Sequence, residues 1–177
     1  MTDFKSAFFS DSDPGLFSLS QIMHLMRVEF GRSQRYGYPL ACVLIAVDRL
    51  GHLRDVYGYE SKEAILEEVV KLLQRETRTC DFLGRLMDDR LLAVVPHTPP
   101  EGTEVLAGRL LRGVRELRFE ADGKEVRVTI SIGASSNAGG RTLFFDSVLA
   151  AAEGALAEAA ERGGDRLVQR DPDAPGG

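Results

Sequence analysis

The chain has 177 residues, a formal net charge of −5, 44% apolar and 28% charged residues, which suits one globular domain and excludes a fibrous or wholly disordered chain. The acidic balance argues against broad attraction to nucleic acid or anionic lipid, although a local arginine cluster can still take a small anion. No apolar run approaches the roughly 18 residues of a membrane span, the start MTDFKSAFFSDSD lacks the pattern of a secretory leader, and Cys42 and Cys80 have neither metal-ligand spacing nor a disulfide framework, so a cytoplasmic protein with no membrane contact is expected.

Residues 1–16 are predicted as an N-terminal arm, polar apart from Phe4, Phe8 and Phe9 and broken by Pro14 and Gly15. Its phenylalanines can dock on the domain itself or on a partner. The domain is expected over residues 17–170, and DPDAPGG at 171–177 reads as a disordered tail. Ser18 with Gln21 fits a capping box, and Leu19, Ile22, Met26 and Phe30 then recur at helical spacing to about Arg35, with a stop at Gly37. Residues 40–47, LACVLIAV, form a continuous apolar run, as a central strand covered on both faces requires. A short helix is predicted over 49–57, followed by a longer one capped by Ser61, with Ile65, Val69, Leu72 and Leu73 facing the core.

Residues 82–86 and 91–95 are short apolar runs joined by Met87, Asp88, Asp89 and Arg90, a β-hairpin with a polar tip. Thr103 is the predicted cap of a helix with Leu106, Leu110, Val114 and Leu117 on one face. Asp122-Gly123 is a hairpin turn between a strand near Phe119 and a longer strand over 126–134. After a glycine-containing loop at 137–141, Asp146 or Ser147 is the predicted cap of an alanine-rich helix reaching about Arg162, ended by Gly163-Gly164 before a last strand at 167–169. The fold class is therefore α/β with a central mixed sheet.

These segments, in this order, resemble the GGDEF family of diguanylate cyclases over about residues 13–168. Arg78 and Asp81 match the family's RxxD, YGYPLACVLIAVDRL looks like its first strand, RDVYGYES like its ND-x-F/Y-GH segment, and Ser131, Ile132 and Gly133 match its SIG motif. The resemblance implies a single palm-like domain related to nucleotide cyclases, with a mostly antiparallel five-stranded sheet flanked by helices. It also implies a former active site that has changed. The signature loop reads Met87, Asp88, Asp89, Arg90 and Leu91; Ala46 stands where the family has a metal-binding Asp, and Asp48 lies two residues along; Arg54 and Glu63 replace the guanine-reading pair, and Ala157 and Ala160 stand in ALAEAAERGGD for the family's Tyr and Lys.

Diguanylate synthesis needs divalent metal to neutralise the triphosphate and polarise the phosphate under attack. The expectation drawn from these residues is a protein that is not an enzyme, with no catalytic residue, no metal and no cofactor. The RxxD pair is implied to be a site for cyclic di-GMP. Arg donates two hydrogen bonds to guanine O6 and N7, and a carboxylate accepts from N1 and N2; Arg109 and Arg112, on the next helix, can add a contact, across a dimer if there is one, or can simply be solvated. The competing reading makes Arg78 and Asp81 a turn clamp at a helix end. His24, His52 and His97 have no mutual metal spacing and read as surface or capping residues. Two functions stand: a cyclic di-GMP receptor relaying its state to an unidentified signalling protein, or a nucleotide-independent interaction scaffold.

Overall fold

The computed structural model describes residues 15–137 and 142–173. Phe4, Phe8, Phe9 and Pro14 of the predicted arm, residues 138–141 of the predicted loop and residues 174–177 of the predicted tail lie outside the described residues. The elements run α1 (Leu19–Tyr36), β1 (Leu40–Val47), α2 (Leu50–Tyr57), α3 (Tyr59–Glu76), β2 (Phe82–Arg85), β3 (Leu91–Pro96), α4 (Pro100–Glu116), β4 (Phe119–Ala121), β5 (Lys124–Val126), β6 (Ile130–Ser136), α5 (Phe145–Glu161) and β7 (Arg166–Gln169). Five strands form one sheet in the order β2-β3-β1-β6-β7. All neighbours in it are antiparallel except β6 and β7, as the resemblance implied.

β1 is apolar throughout because both of its faces are covered. Ala41, Val43 and Ile45 face a core with Ile65, Leu66, Val69, Leu73, Leu106 and Leu110 from α3 and α4. Cys42 and Leu44 face a second core with Ile22, Met26 and Phe30 of α1 and Val148, Ala152 and Leu156 of α5. The period-2 alternation of the strand thus sorts one apolar run into two layers. Gly133 lets α5 lie close on β6: a Cβ there would sit 2.2 Å from the backbone nitrogen of Leu156. No helix among the described residues is long and apolar enough to cross a membrane.

The capping box of α1 is present in full, with Gln21 N bonded to Ser18 Oγ and Ser18 N to Gln21 Oε1, and Gly37 closes the helix at φ 72°. Three predicted caps are corrected. α3 begins at Tyr59 after Gly58, and Ser61 instead donates its hydroxyl to Tyr57 O inside the first turn. α4 begins at Pro100, whose fixed φ suits a first helical position, so Thr103 is internal and donates to Pro99 O. α5 starts at Phe145 with no side-chain cap, leaving Asp146 and Ser147 within its first turn. The Asp122-Gly123 turn joins β4 to β5 in a separate two-stranded sheet, so the strand predicted over 126–134 is two pieces, and the second, β6, enters the main sheet. Phe17 adds a bridge to the free edge of β2, its N–H donating to Leu83 O and its carbonyl accepting from Arg85 N.

Candidate functional site

α3 ends at Glu76, and the chain turns at Thr77 to Asp81 before entering β2. The turn is held by Asp81: its Oδ2 accepts from Arg78 N at 2.7 Å and its Oδ1 from Arg78 Nη2 at 3.4 Å. The Asp81 side chain is 2% exposed and that of Arg78 53% exposed, so the acid is the interior half of the pair and the guanidinium the accessible half. Nη2 of Arg78 also donates to Pro96 O at 2.7 Å and to Thr98 Oγ1 at 2.9 Å. These bonds pin the guanidinium over the end of β3. Among the described residues, Arg78 Nε and Nη1 carry no hydrogen bond, which leaves donors free on either side of the anchored Nη2.

Glu76, Arg78, Asp81, His97, Thr98 and Arg109 share the lining of a cavity of about 350 Å³. Arg109 is held there by Glu76, its Nε 3.2 Å from Glu76 Oε2. Arg112, one turn along α4, lines an adjoining cavity of about 410 Å³ that shares Glu76 and Arg109 with the first. The structure therefore brings Arg78, Asp81 and Arg109 to one place and Arg112 to its neighbour. Thr98, the Pro96 carbonyl and His97 belong to the same place and were not anticipated; they follow a strand whose pairing delivers them, and no local pattern marks them.

The hairpin tip is a second centre. Asp89 occupies the left-handed region at φ 66°, which Asp tolerates better than most residues. Its Oδ2 accepts from Lys62 Nζ at 2.8 Å and its Oδ1 from Arg85 Nη2 at 2.7 Å. Arg85 also donates to both oxygens of Glu63, so Glu63 and Asp89, on different elements, share one pair of cations. Burial pushes Asp89 upward, but the bonds from Lys62 and Arg85 outweigh it and hold the carboxyl below its ordinary pKa. Arg85 chiefly lowers Glu63, and the Asp89 bond chiefly raises Lys62.

The other predicted positions are spread out. Met87 projects at the tip, 91% exposed, and Asp88 pairs with Arg90 at 2.7 Å. Arg54 pairs with its neighbour Asp55 on exposed surface. Ala46 lies on β1 opposite Ser131. Asp48 accepts from Thr129 Oγ1, Ser131 Oγ and Asp165 N, fastening the end of β1 to β6 and to the approach of β7. Among the described residues no three His, Cys, Asp or Glu side chains converge as a metal ion requires. A divalent metal of the kind the family's chemistry implies does not fit this donor set as it stands, with Ala46 offering a methyl group and Asp89 engaged by two cations.

A family model described as diguanylate cyclase, GGDEF domain, matches residues 10–166. The chain belongs to the GGDEF family. Diguanylate cyclase A of Treponema denticola is 30% identical over 134 residues, 73% of this chain and 34% of that protein. This GGDEF chain thus spans about a third of the length of that curated relative. Among solved structures, the diguanylate cyclase SiaD of Pseudomonas aeruginosa, in complex with its activator SiaC, superposes with a TM-score of 0.81 at 25% identity, covering 88% of this chain and 59% of that one. The coiled coil and GGDEF domain of DgcB from Caulobacter crescentus, in complex with c-di-GMP, gives a TM-score of 0.84 at 14% identity, covering 94% and 87% of the two chains; at that identity it shows the fold.

These relatives correct one expectation. The chain was expected not to be an enzyme, on the side chains at Ala46, Arg54, Glu63, Met87, Asp88 and Arg90, yet its curated relatives are named as diguanylate cyclases, so the family supports a cyclase reading. These six positions, spread over β1, α2, α3 and the hairpin tip, do not outweigh similarity that runs through the whole domain.

Proposed function

We propose that this GGDEF domain takes cyclic di-GMP in the Arg78 cavity and passes its occupancy to a protein partner. The observation that carries the reading is the state of Arg78: Nη2 is anchored to Pro96 O, Thr98 and Asp81, while Nε and Nη1 bond to no described residue. A guanidinium fixed in this way loses little freedom on binding, and its free N–H groups can donate singly to guanine O6 or N7. Asp81, being interior, orients Arg78, and Arg109 supplies a second cation for a phosphate. The c-di-GMP bound to DgcB supports the ligand class, and the SiaD–SiaC complex supports a protein relay.

Calorimetric titration with cyclic di-GMP tests the reading, with saturable binding expected at micromolar affinity or tighter, about −8 kcal/mol at 1 μM. Folded protein that gives neither heat nor a thermal shift at saturating ligand would reduce Arg78 and Asp81 to a turn clamp and leave the domain as an interaction scaffold. A second reading, synthesis of the same dinucleotide, is favoured by the names of the relatives. Product formation from GTP with Mg²⁺ or Mn²⁺ reads it out directly.

A further inference from the structure

The aromatic member of the Arg78 cavity is His97. It follows the last residue of β3 and takes a left-handed backbone, φ 53°, a region that few residues other than glycine enter and in which His is enriched. Its imidazole stacks on Tyr38, with ring centroids 3.8 Å apart and planes at 23°. Tyr38 is itself fixed, since its hydroxyl donates to Glu29 Oε1 at 2.5 Å and Glu29 is a buried side chain of α1. Burial, and then Glu29, pushes the Tyr38 hydroxyl up to about 12, so this donor persists over the whole working range of pH. His97 is nevertheless exposed. An exposed ring backed by a second, anchored ring is a π surface whose plane is already set.

We infer that His97 is the stacking platform for a guanine of the ligand in the Arg78 cavity, and that Tyr38 is the residue that positions it. The inference rests on the reading of that cavity as a cyclic di-GMP site. An imidazole has two faces; Tyr38 covers one, and a base on the other would extend the pair to a stack of three. The two interactions divide the work. Arg78 reads the edge of the base, where guanine differs from the other bases, and His97 takes its flat face, which all bases share.

The test is the affinity of the full chain for cyclic di-GMP, measured by calorimetry on the wild type, H97N, H97F, Y38A and the double variant Y38A/H97N. Asn tolerates the left-handed backbone, so H97N removes the ring without disturbing the turn, and thermal melting confirms that each variant is folded. H97N should weaken binding on the order of tenfold, as loss of one base stack does, and H97F should bind more tightly than H97N because it restores a ring. Y38A should weaken the wild type and add nothing to H97N, as a residue acting through another must. Wild-type affinity in H97N, or H97F no better than H97N, overturns the platform while leaving the Arg78 site standing. Absence of binding by the wild type overturns the site and this inference together.

Discussion

Lys62 Nζ lies 2.8 Å from Asp89 Oδ2 and ties the tip of the β2-β3 hairpin to the first turn of α3. Arg85 completes the clasp by reaching Asp89 and Glu63 at once. Asp89→Asn keeps the shape of the residue and its tolerance of positive φ but removes its charge. It should cost about 1 to 3 kcal/mol, the usual scale for hydrogen bonds to charged groups, seen as a lowered midpoint in urea. Asp88→Asn, one residue away, disturbs an exposed pair with Arg90 and should stay within about 0.5 kcal/mol of the wild type.

The same clasp sets a pH dependence. Asp89 and Glu63 lie below their ordinary values, so the folded state binds their protons less readily than the unfolded chain does. Their contribution is present above the unfolded carboxylate values of about 4 and fades as pH falls through the lower folded values. Lys62 is raised, so its contribution is present below about 10.4 and is lost as pH climbs through the folded value. Urea melts at neutral pH and near pH 3 should show a loss on acidification that is smaller in Asp89→Asn. An unchanged loss in that variant would place the acid sensitivity elsewhere.

At the Arg78 cavity, Arg78→Ala should weaken cyclic di-GMP by about 1 to 3 kcal/mol, the scale of a hydrogen bond to a charged group. Thr98→Val removes one of the acceptors that hold Nη2 and should weaken binding several-fold by loosening the guanidinium. Arg90→Ala is the control. It belongs to the hairpin tip, pairs with Asp88, and should bind as the wild type does in the same titration.

Gly133→Ala tests the packing of α5 on the sheet. The added Cβ would meet Leu156 N and Ala152 O, both backbone atoms, which cannot rotate away as a side chain can. The helix must lift, at a cost of about 3 kcal/mol, read as a drop in thermal midpoint. Gly51→Ala, where a Cβ would meet nothing within 4 Å, should be tolerated.

The parts of the fold that were legible in the sequence are those decided locally. The α1 capping box joins residues three apart, and β1 announces itself by eight unbroken apolar positions. Ser61 and Thr103 looked like caps because their type suits the role, yet Gly58 and Pro100 had already started those helices. The strand over 126–134 looked continuous because its residues are apolar on alternate positions; its first piece pairs with β4 and its second with β1, a division made by tertiary pairing. Arg78 and Asp81 were visible as an i, i+3 pair. Their partners Pro96 and Thr98 were not, since only the β2-β3 register brings them near, and the same holds for Lys62 and Asp89, which are 27 residues apart.

The bridge that Phe17 makes to β2 bears on how the protein keeps to itself. A sheet margin with unpaired amides is a template on which another molecule can grow. On one flank Phe17 occupies Leu83 O and the Arg85 amide; on the other, β7 is only four residues long and carries Arg166, with Arg170 just beyond it gripping Glu158. One border is capped by the chain's own backbone and the other is short and charged, so neither offers a second molecule a long apolar ledge. Among the described residues, a second molecule extending the five-stranded sheet would have to displace the Phe17 bridge on one side or pair with the short, charged β7 on the other.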